Sequence, residues 1–253
     1  PLSPTRQPFE PEMILIPAGE FLMGSDPLAD PNAKDEEQPQ HLVYLPDYYL
    51  AKTPVTNAQY RAFIQSTGHQ PPEHWEKERP PVDKYEHPVV QVSWHDAMAY
   101  CNWLAEVTGK AYRLPSEAEW EKGARGTDGR IYPWGNQWQA QCCNTGETRL
   151  GDTTPFGAYP DGACPYGLLD MAGNVWEWTR SLWDEDGAKP HFKYPYRPGD
   201  RREDLKAGDE VLRVLRGGSF YNDLNLARCA CRLSNHPYYG DLIRGFRWVV
   251  SPI

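Results

Sequence analysis

The clearest hydrophobic and polar patterns along the chain predict three helices, each introduced by a hydroxyl side chain. Thr56 precedes a run whose apolar residues recur on one helical face, and Gly68 ends that run. A second helix is expected to begin at Ser93 or His95 and to end at Gly109. A third, shorter helix follows Ser116, because a glutamate three residues later completes a capping box.

Short apolar runs separated by turn residues predict strands between and after these helices. Residues 13–25 contain two such runs around Pro-Ala-Gly-Glu, which predicts a β-hairpin, and residues 41–51 predict another strand. Further strands are predicted at Val175–Thr179, Val211–Leu215 and Phe246–Val250. Residues 126–171 show little periodicity and are expected to be mostly loop, and long loops inside a domain usually carry function. The pattern therefore predicts a loop-rich α+β fold.

Length and composition narrow the class of protein. The chain has 253 residues with 25 Pro and 21 Gly, which suits a globular fold rich in turns. It has no apolar run of 18 residues, so no membrane span is predicted. The net charge of −9 and the absence of a basic stripe argue against a nucleic-acid partner. We expect a monomer.

The compartment is harder to predict, because the chain begins with Pro1 and not with Met. Its six cysteines form no C-x-x-C pair and no zinc-like spacing with histidine, which favours reduced thiols and a cytoplasmic protein. Since a targeting segment could be missing before Pro1, surface display through such an N-terminal part stays open.

Residues 220–243 have a composition that differs from the rest of the chain. Lys, Glu, Gln, Met and Trp make up 51 of the 253 residues, so about five would be expected in this run, yet it contains none. These five residue types share no charge, size or polarity, but none of them has a codon ending in a pyrimidine. Every residue type that is present can be reached from an asparagine codon by changing its adenines. The run therefore looks like a segment whose side chains were shuffled within a constant frame.

Seven ordered motifs resemble the formylglycine-generating-enzyme-like domain, also called the sulfatase-modifying factor domain, from about residue 12 to residue 250. The first four are residues 13–25 (MILIPAGEFLMGS), 53–60 (TPVTNAQY), 87–94 (HPVVQVSW) and 112–121 (YRLPSEAEWE). The others are residues 132–135 (YPWG), 167–178 (GLLDMAGNVWEW) and the pair 216–219 (RGGS) with 245–247 (GFR). The resemblance implies a C-type-lectin-like fold in a single domain over residues 12–253, preceded by an N-terminal extension over residues 1–11.

The resemblance also allows a test for enzyme activity. Enzymes of this family oxidise a substrate cysteine with a copper ion held by two cysteines, three and eight residues after the Ser of the Arg-Gly-Gly-Ser motif. Asn222 and Ala227 occupy these positions here. The nearest thiols, Cys229 and Cys231, are spaced differently, although an i, i+2 pair on a strand would share a face. We therefore expect no catalytic residues. A divergent oxidase acting on a thiol substrate is the alternative.

The same domain, with a shuffled segment near its C terminus, occurs in the variable proteins of diversity-generating retroelements, which this chain resembles. This resemblance implies a non-catalytic receptor-type protein whose ligand is a protein or another macromolecule. The predicted ligand-binding residues are Phe220, Tyr221, Asn222, Asp223, Leu224, Asn225, Leu226, Leu233, Ser234, Asn235, His236, Tyr238, Tyr239, Asp241, Leu242 and Ile243. Within the run, Ala227, Arg228, Ala230, Arg232 and Pro237 are expected to be fixed positions.

Three further motif residues receive an interpretation from the resemblance or from their chemistry. Asn144 and Thr145 match the start of a structural calcium site of the family, but the loop after them is shorter here, so calcium binding stays open. No other cofactor is expected. Glu177 is expected to pair with a buried arginine such as Arg216 or Arg247 within the core.

Overall fold

The computed structural model describes residues 9–185 and 190–251, which form ten strands and three helices. The strands are β1 (Met13–Ile16), β2 (Gly19–Met23), β3 (His41–Leu45), β4 (Tyr48–Ala51), β5 (Tyr112–Arg113), β6 (Trp176–Leu182), β7 (Arg213–Arg216), β8 (Leu233–Asn235), β9 (Arg244–Phe246) and β10 (Val249–Val250). The helices are α1 (Asn57–Thr67), α2 (Trp94–Thr108) and α3 (Glu117–Arg125). Residues 126–171 contain only short 3₁₀ helices and loops, as predicted.

The three predicted helices are confirmed, together with their caps. The side chains of Thr56, Ser93 and Ser116 each accept a hydrogen bond from the backbone amide three residues later. Each cap is completed by a side chain that returns to the backbone of the cap residue. Gly68 and Gly109 adopt left-handed conformations at the ends of α1 and α2. These local signals suffice because capping uses only neighbouring residues.

The predicted hairpin over residues 13–25 is wrong, although both of its strands exist. β1 pairs with β4 in a sheet of order β1-β4-β10-β5, whereas β2 pairs with β3 in a separate two-stranded ribbon. The predicted single strand over residues 41–51 is likewise divided into β3 and β4, one for each sheet. The Pro-Ala-Gly turn therefore carries the chain from one sheet to the other.

Helix α3 lies in the interior, where its charged side chains pair with arginines from distant parts of the chain. The Glu121 carboxylate binds both Arg216 of β7 and Arg125, and all three side chains are almost completely buried. Glu177 of β6 pairs with Arg247, whose Nε lies 2.6 Å from its Oε2, which confirms one of the two expected partners. Because a buried charge needs a partner, these pairs fix the position of β7 and of the C-terminal strands relative to α3.

The last residues of the predicted N-terminal extension contact the domain. Phe9 packs against Trp103 with ring centroids 5.2 Å apart, and the buried carboxylate of Glu10 accepts a hydrogen bond from Lys110. Residues 9–11 of the predicted extension are therefore docked on the domain, while its residues 1–8 lie outside the described residues. Within the described ranges, no helix is both long enough and apolar enough to cross a membrane.

Candidate ligand-binding surface

The run from residue 220 to residue 243 is built around the sheet of order β8-β7-β6-β9. β7 is antiparallel to β6 and ends at Arg216, which lies opposite Glu177 in the strand register. β9 is parallel to β6 and starts with Arg244, opposite Trp176. β8 begins at Leu233, opposite Leu215. The 217–232 connection thus leaves and re-enters the sheet at one end. Residues 236–243 then lead from the far end of β8 back to that same end.

The first exposed stretch directly follows the Arg-Gly-Gly-Ser motif. Tyr221 is 76% exposed, and Asp223 is also exposed and caps a 3₁₀ helix by accepting a hydrogen bond from the Asn225 amide at 2.9 Å. The neighbouring loop supports this stretch: the Gly146 amide donates to the Asn222 carbonyl at 2.8 Å, and Glu147 accepts from the Leu224 amide at 3.0 Å. The backbone is held while the side chains of Tyr221 and Asp223 face solvent.

The second exposed stretch lies between β8 and β9. Tyr238, Tyr239 and Leu242 are 57%, 54% and 54% exposed, and the His236 ring stacks on the Tyr238 ring at 5.1 Å. The backbone underneath is again fixed by constant parts of the fold. The Trp94 amide at the start of α2 donates to the Pro237 carbonyl at 2.9 Å, and the Gln91 amide donates to the Asp241 carbonyl at 2.8 Å.

Trp176 connects the two exposed stretches. Its indole Nε1 donates to the Asn222 side-chain oxygen at 2.7 Å, and its backbone amide donates to the Ile243 carbonyl at 2.8 Å. Trp176 itself is fully buried. The side chain and the backbone amide of this one residue thus hold residues of both stretches at the same end of the sheet.

The middle of the run, residues 227–232, is buried and carries two arginine anchors. The Arg228 guanidinium binds the Glu37 carboxylate at 2.5 and 2.8 Å and also reaches Asp30 at 2.8 Å. The Arg232 guanidinium binds Glu117 of α3 at 2.8 and 3.0 Å. All five positions that were expected to be fixed are buried, namely Ala227, Arg228, Ala230, Arg232 and Pro237.

The predicted ligand-binding residues differ widely in their exposure to solvent. Phe220 is buried: its backbone amide is bound to Asn174 inside the loop, and its side chain is only 8% exposed. Leu226, Leu233 and Ile243 are partly buried and pack on the main hydrophobic core. The side chains of Asn222, Leu224, Asn225, Ser234, Asn235, His236 and Asp241 are intermediate in exposure. The predicted residues that are exposed are Tyr221, Asp223, Tyr238, Tyr239 and Leu242.

The supporting residues Gln91, Trp94 and Glu147 were not found by sequence reasoning. Each lies far from the run in the chain and contributes a backbone amide or a carboxylate to the run's backbone. No pattern in the sequence marks such long-range contacts. Gly240 was also missed: a Cβ there would lie 3.0 Å from backbone atoms of Gln91 and Val92. Such a close approach of two backbones favours glycine.

The two thiols nearest to the family's copper positions are unsuited to metal binding. Cys229 and Cys231 are fully buried, and burial raises the pKa of each thiol to about 12. They belong to different hydrophobic clusters, since a turn at residues 229–230 replaces the strand that would place them on one face. A metal ligand must be a thiolate, so a raised pKa opposes coordination. Within residues 9–185 and 190–251, no group of three or more His, Cys, Asp or Glu residues is placed to hold a metal ion.

The residues at the start of the family's calcium loop are engaged in hydrogen bonds within this chain. The Asn144 side-chain oxygen accepts from the Thr148 hydroxyl at 3.0 Å, and its amide nitrogen donates to the Asp152 carbonyl at 2.9 Å. The Thr145 carbonyl accepts from the same hydroxyl at 2.8 Å. Calcium takes six to eight oxygen ligands, which include carboxylates, carbonyls and waters. The oxygens of Asn144 and Thr145 hold the loop together by hydrogen bonds, and calcium binding at these residues stays a prediction.

A family model for the sulfatase-modifying factor enzyme 1-like domain matches residues 2–252. The chain belongs to this family. The formylglycine-generating enzyme of Thermomonospora curvata is 32% identical to it across 99% of this chain and 97% of that protein. The expected formylglycine-generating-enzyme-like domain is thereby confirmed.

Two solved structures share the fold over nearly their whole length. PvdO from Pseudomonas aeruginosa superposes with a TM-score of 0.77 at 25% identity, covering 97% of this chain and 96% of that one. The variable protein 1 of Treponema denticola superposes with a TM-score of 0.71 at 24% identity, covering 95% of each chain. The predicted α+β, C-type-lectin-like fold of the formylglycine-generating type is confirmed.

Proposed function

We propose that this chain is a non-catalytic ligand-binding protein that displays a surface diversified by a retroelement. The surface consists of the exposed residues of the 220–243 run on both sides of its buried middle. Its ligand is a protein or another macromolecule. Affinity would come from the tyrosines together with Leu242, because tyrosine offers a large contact area at low entropic cost.

One observation carries this proposal. The run with the adenine-derived composition contains four large side chains that are more than half exposed, namely Tyr221, Tyr238, Tyr239 and Leu242. Its interior positions are instead tied to the core through Arg228 and Arg232. A contiguous patch of exposed aromatic and aliphatic side chains usually marks an interaction site, and we expect these four side chains to form such a patch. Variation at the exposed positions would leave the anchors in place.

The second candidate is a divergent oxidase acting on a thiol substrate. It is supported by the 32% identity to a formylglycine-generating enzyme across nearly all of both chains. It is opposed by the residues at the copper positions, where Asn222 accepts hydrogen bonds from Trp176 and from the Ser219 hydroxyl, and where Ala227 offers only a methyl group. Copper(I) needs soft ligands, and these two residues supply none.

Two matched libraries on the whole chain test the display function. The first varies Tyr221, Tyr238, Tyr239 and Leu242 with codons ending in a pyrimidine, and the second varies the buried Ala227, Ala230 and Cys231 in the same way. Both are selected for binding to one purified probe protein, for example hen lysozyme. Folded binders are expected from the first library and not from the second. Equal yields from both libraries, or none from the first, would contradict the proposal.

The DNA around the gene tests the origin of the run independently. A diversifying retroelement requires a reverse transcriptase and a template repeat that matches codons 220–243 except at adenines. Sequencing the flanking DNA is expected to reveal both. Diversification would be refuted if the repeat differed from the gene at positions where the repeat has no adenine. It would also be refuted if the flanking DNA contained neither a reverse transcriptase nor a repeat, and the surface would then be a constant binding surface.

A further inference from the structure

The histidine at the start of β3 forms two hydrogen bonds that together fix its protonation state. The Nδ1 atom of His41 lies 2.8 Å from the Pro39 carbonyl oxygen, and its Nε2 atom lies 2.6 Å from the backbone nitrogen of Tyr196. A carbonyl can only accept, so Nδ1 carries the proton. A backbone amide can only donate, so Nε2 must be free of a proton. Both bonds exist together only in the neutral ring.

The surroundings of the ring contain charges of both signs. The pKa of His41 is lowered from its ordinary value, chiefly by burial, while the nearby carboxylates of Glu121 and Glu117 on α3 oppose that shift and the Arg202 guanidinium adds to it. The Tyr194 ring lies edge-on to the imidazole with centroids 5.0 Å apart. Since folding favours the neutral ring, this contribution to stability is present above the unfolded pKa of 6.5 and is lost as pH falls through the lowered folded value.

His41 binds the segment of residues 191–196. This segment also covers Arg232, one of the two buried arginines that anchor the 220–243 run. The Phe192 carbonyl accepts a hydrogen bond from Arg232 at 3.4 Å, and the Tyr194 ring lies 4.5 Å from the Arg232 guanidinium carbon. The same segment covers Arg202, which lies 4.3 Å from the Tyr196 ring and shares Glu117 with Arg232.

We propose that His41 is an acid-sensitive latch: protonation of its Nε2 breaks the bond to the Tyr196 amide and loosens the 191–196 segment over Arg232. Protonation would place two N–H groups against each other at a hydrogen-bond distance, so the segment must move away from β3. Arg232 directly precedes β8, which begins at Leu233 within the displayed run. Acid would therefore loosen the 220–243 run at β8 and leave the exposed tyrosines themselves unchanged.

Hydrogen exchange on the whole chain tests this latch with His41→Gln as the informative variant. The glutamine carbonyl can accept from the Tyr196 amide at any pH, and its amide can donate to Pro39. At pH 7.5 the wild type and the variant should protect residues 191–196 and 233–235 equally. At pH 5 the wild type should lose part of this protection relative to the variant, because the protonated ring can no longer accept from the Tyr196 amide. His95→Gln is the control, because His95 lies at the surface beside Asp209; it should behave as the wild type at both values.

Equal protection of wild type and His41→Gln at pH 5 would overturn the latch. So would a loss at pH 5 that His95→Gln abolishes. If glutamine does not hold the segment, an NMR titration of the unaltered chain still tests the proposal. The chemical shifts of the His41 ring and of the Tyr196 amide should change with one common midpoint below pH 6.5. Separate midpoints would overturn the proposal, which does not depend on the ligand-binding function.

Discussion

Individual side chains in this protein fall into two groups with opposite expected costs of replacement. Tyr221, Tyr238 and Leu242 are more than half exposed, whereas Trp176 and Trp178 are fully buried. Serine at any of the three exposed positions should change the free energy of unfolding by about 0.5 kcal/mol or less, as at ordinary surface sites. Alanine at either tryptophan should cost about 3–5 kcal/mol. Urea unfolding of the five variants measures the difference, and similar losses in both groups would mean that the exposed residues belong to the core.

The same contrast applies to charge. The Glu177 carboxylate accepts from Arg247 at 2.6 and 2.7 Å and from the Trp120 indole at 2.7 Å, all in the interior. Glutamine at this position would leave the buried guanidinium without its counter-charge, at an expected cost of about 3–5 kcal/mol. The exposed pair of Glu12 with Lys52 is the matched control, and Glu12→Gln should cost less than about 1 kcal/mol. Chemical denaturation at neutral pH measures the free energy of unfolding of both variants. A small loss of stability for Glu177→Gln would show that Arg247 finds another partner.

Among the elements, the turn after β7 contains two glycines with positive φ, Gly217 and Gly218. Gly218 has φ of +76°, and a Cβ there would lie 2.9 Å from the Leu226 carbonyl oxygen. Gly151 has a similar φ of +68°, but a Cβ at that residue would meet no atom within 4 Å. Valine at either site incurs backbone strain of about 1–3 kcal/mol, and only Gly218→Val adds a clash with backbone. Thermal melts should therefore show a larger loss for Gly218→Val, and equal losses would mean that the turn can move away.

Gly240 sets a limit on diversity inside the run. Its neighbours on both sides are exposed or intermediate, yet its own Cα faces the backbone of Gln91 and Val92 at close range. Gly240→Asn should lower the melting temperature, because a side chain would push the 236–243 connection off the segment that leads into α2. Tyr239→Asn, one residue earlier and exposed, should leave the melting temperature nearly unchanged. A tolerant Gly240 would place this position among the variable ones.

How far the sequence predicts these elements depends on the range of the interactions that form them. The caps of α1, α2 and α3 rest on contacts between close neighbours in the chain, so Thr56, Ser93 and Ser116 could be recognised directly. The apolar runs of β1 and β2 resemble those of a hairpin, but the two strands do not pair with each other. β1 pairs with β4 and β2 pairs with β3, because the packing of the two sheets determines the partners. β8 was missed because its three residues carry no alternation and depend on pairing with β7.

The surface itself was predictable only in outline, for the same reason. The composition of residues 220–243 separates this run from the rest of the chain, but it cannot separate Phe220 from Tyr221. The position of Phe220 is fixed by the bond between its amide and the Asn174 carbonyl, which lies in a distant part of the sequence. The arginines Arg228 and Arg232 are recognisable as anchors only once Glu37 and Glu117 are seen beneath them.

At the scale of the whole molecule, the expected lack of oxidase activity depends on two positions after the Arg-Gly-Gly-Ser turn. Here those positions are Asn222 and Ala227, and the nearest thiols are buried with a raised pKa. The unaltered chain should therefore bind no stoichiometric copper(I) and should not consume oxygen with a cysteine-containing peptide. Metal analysis after dialysis and an oxygen electrode measure both quantities.

A pair of double variants makes this expectation sharper. Asn222→Cys with Ala227→Cys restores thiols at the family's two positions, and copper(I) binding is expected to appear. Asn225→Cys with Ala230→Cys keeps the five-residue spacing at positions shifted by three, and is expected to bind no copper.

Copper held by the unaltered chain would instead favour the oxidase over the display protein, because Cys229 and Cys231 would then have to leave the core to reach the metal. Binding by the shifted pair alone would show that the turn after Ser219 no longer positions these residues as it does in the copper-dependent members of the family.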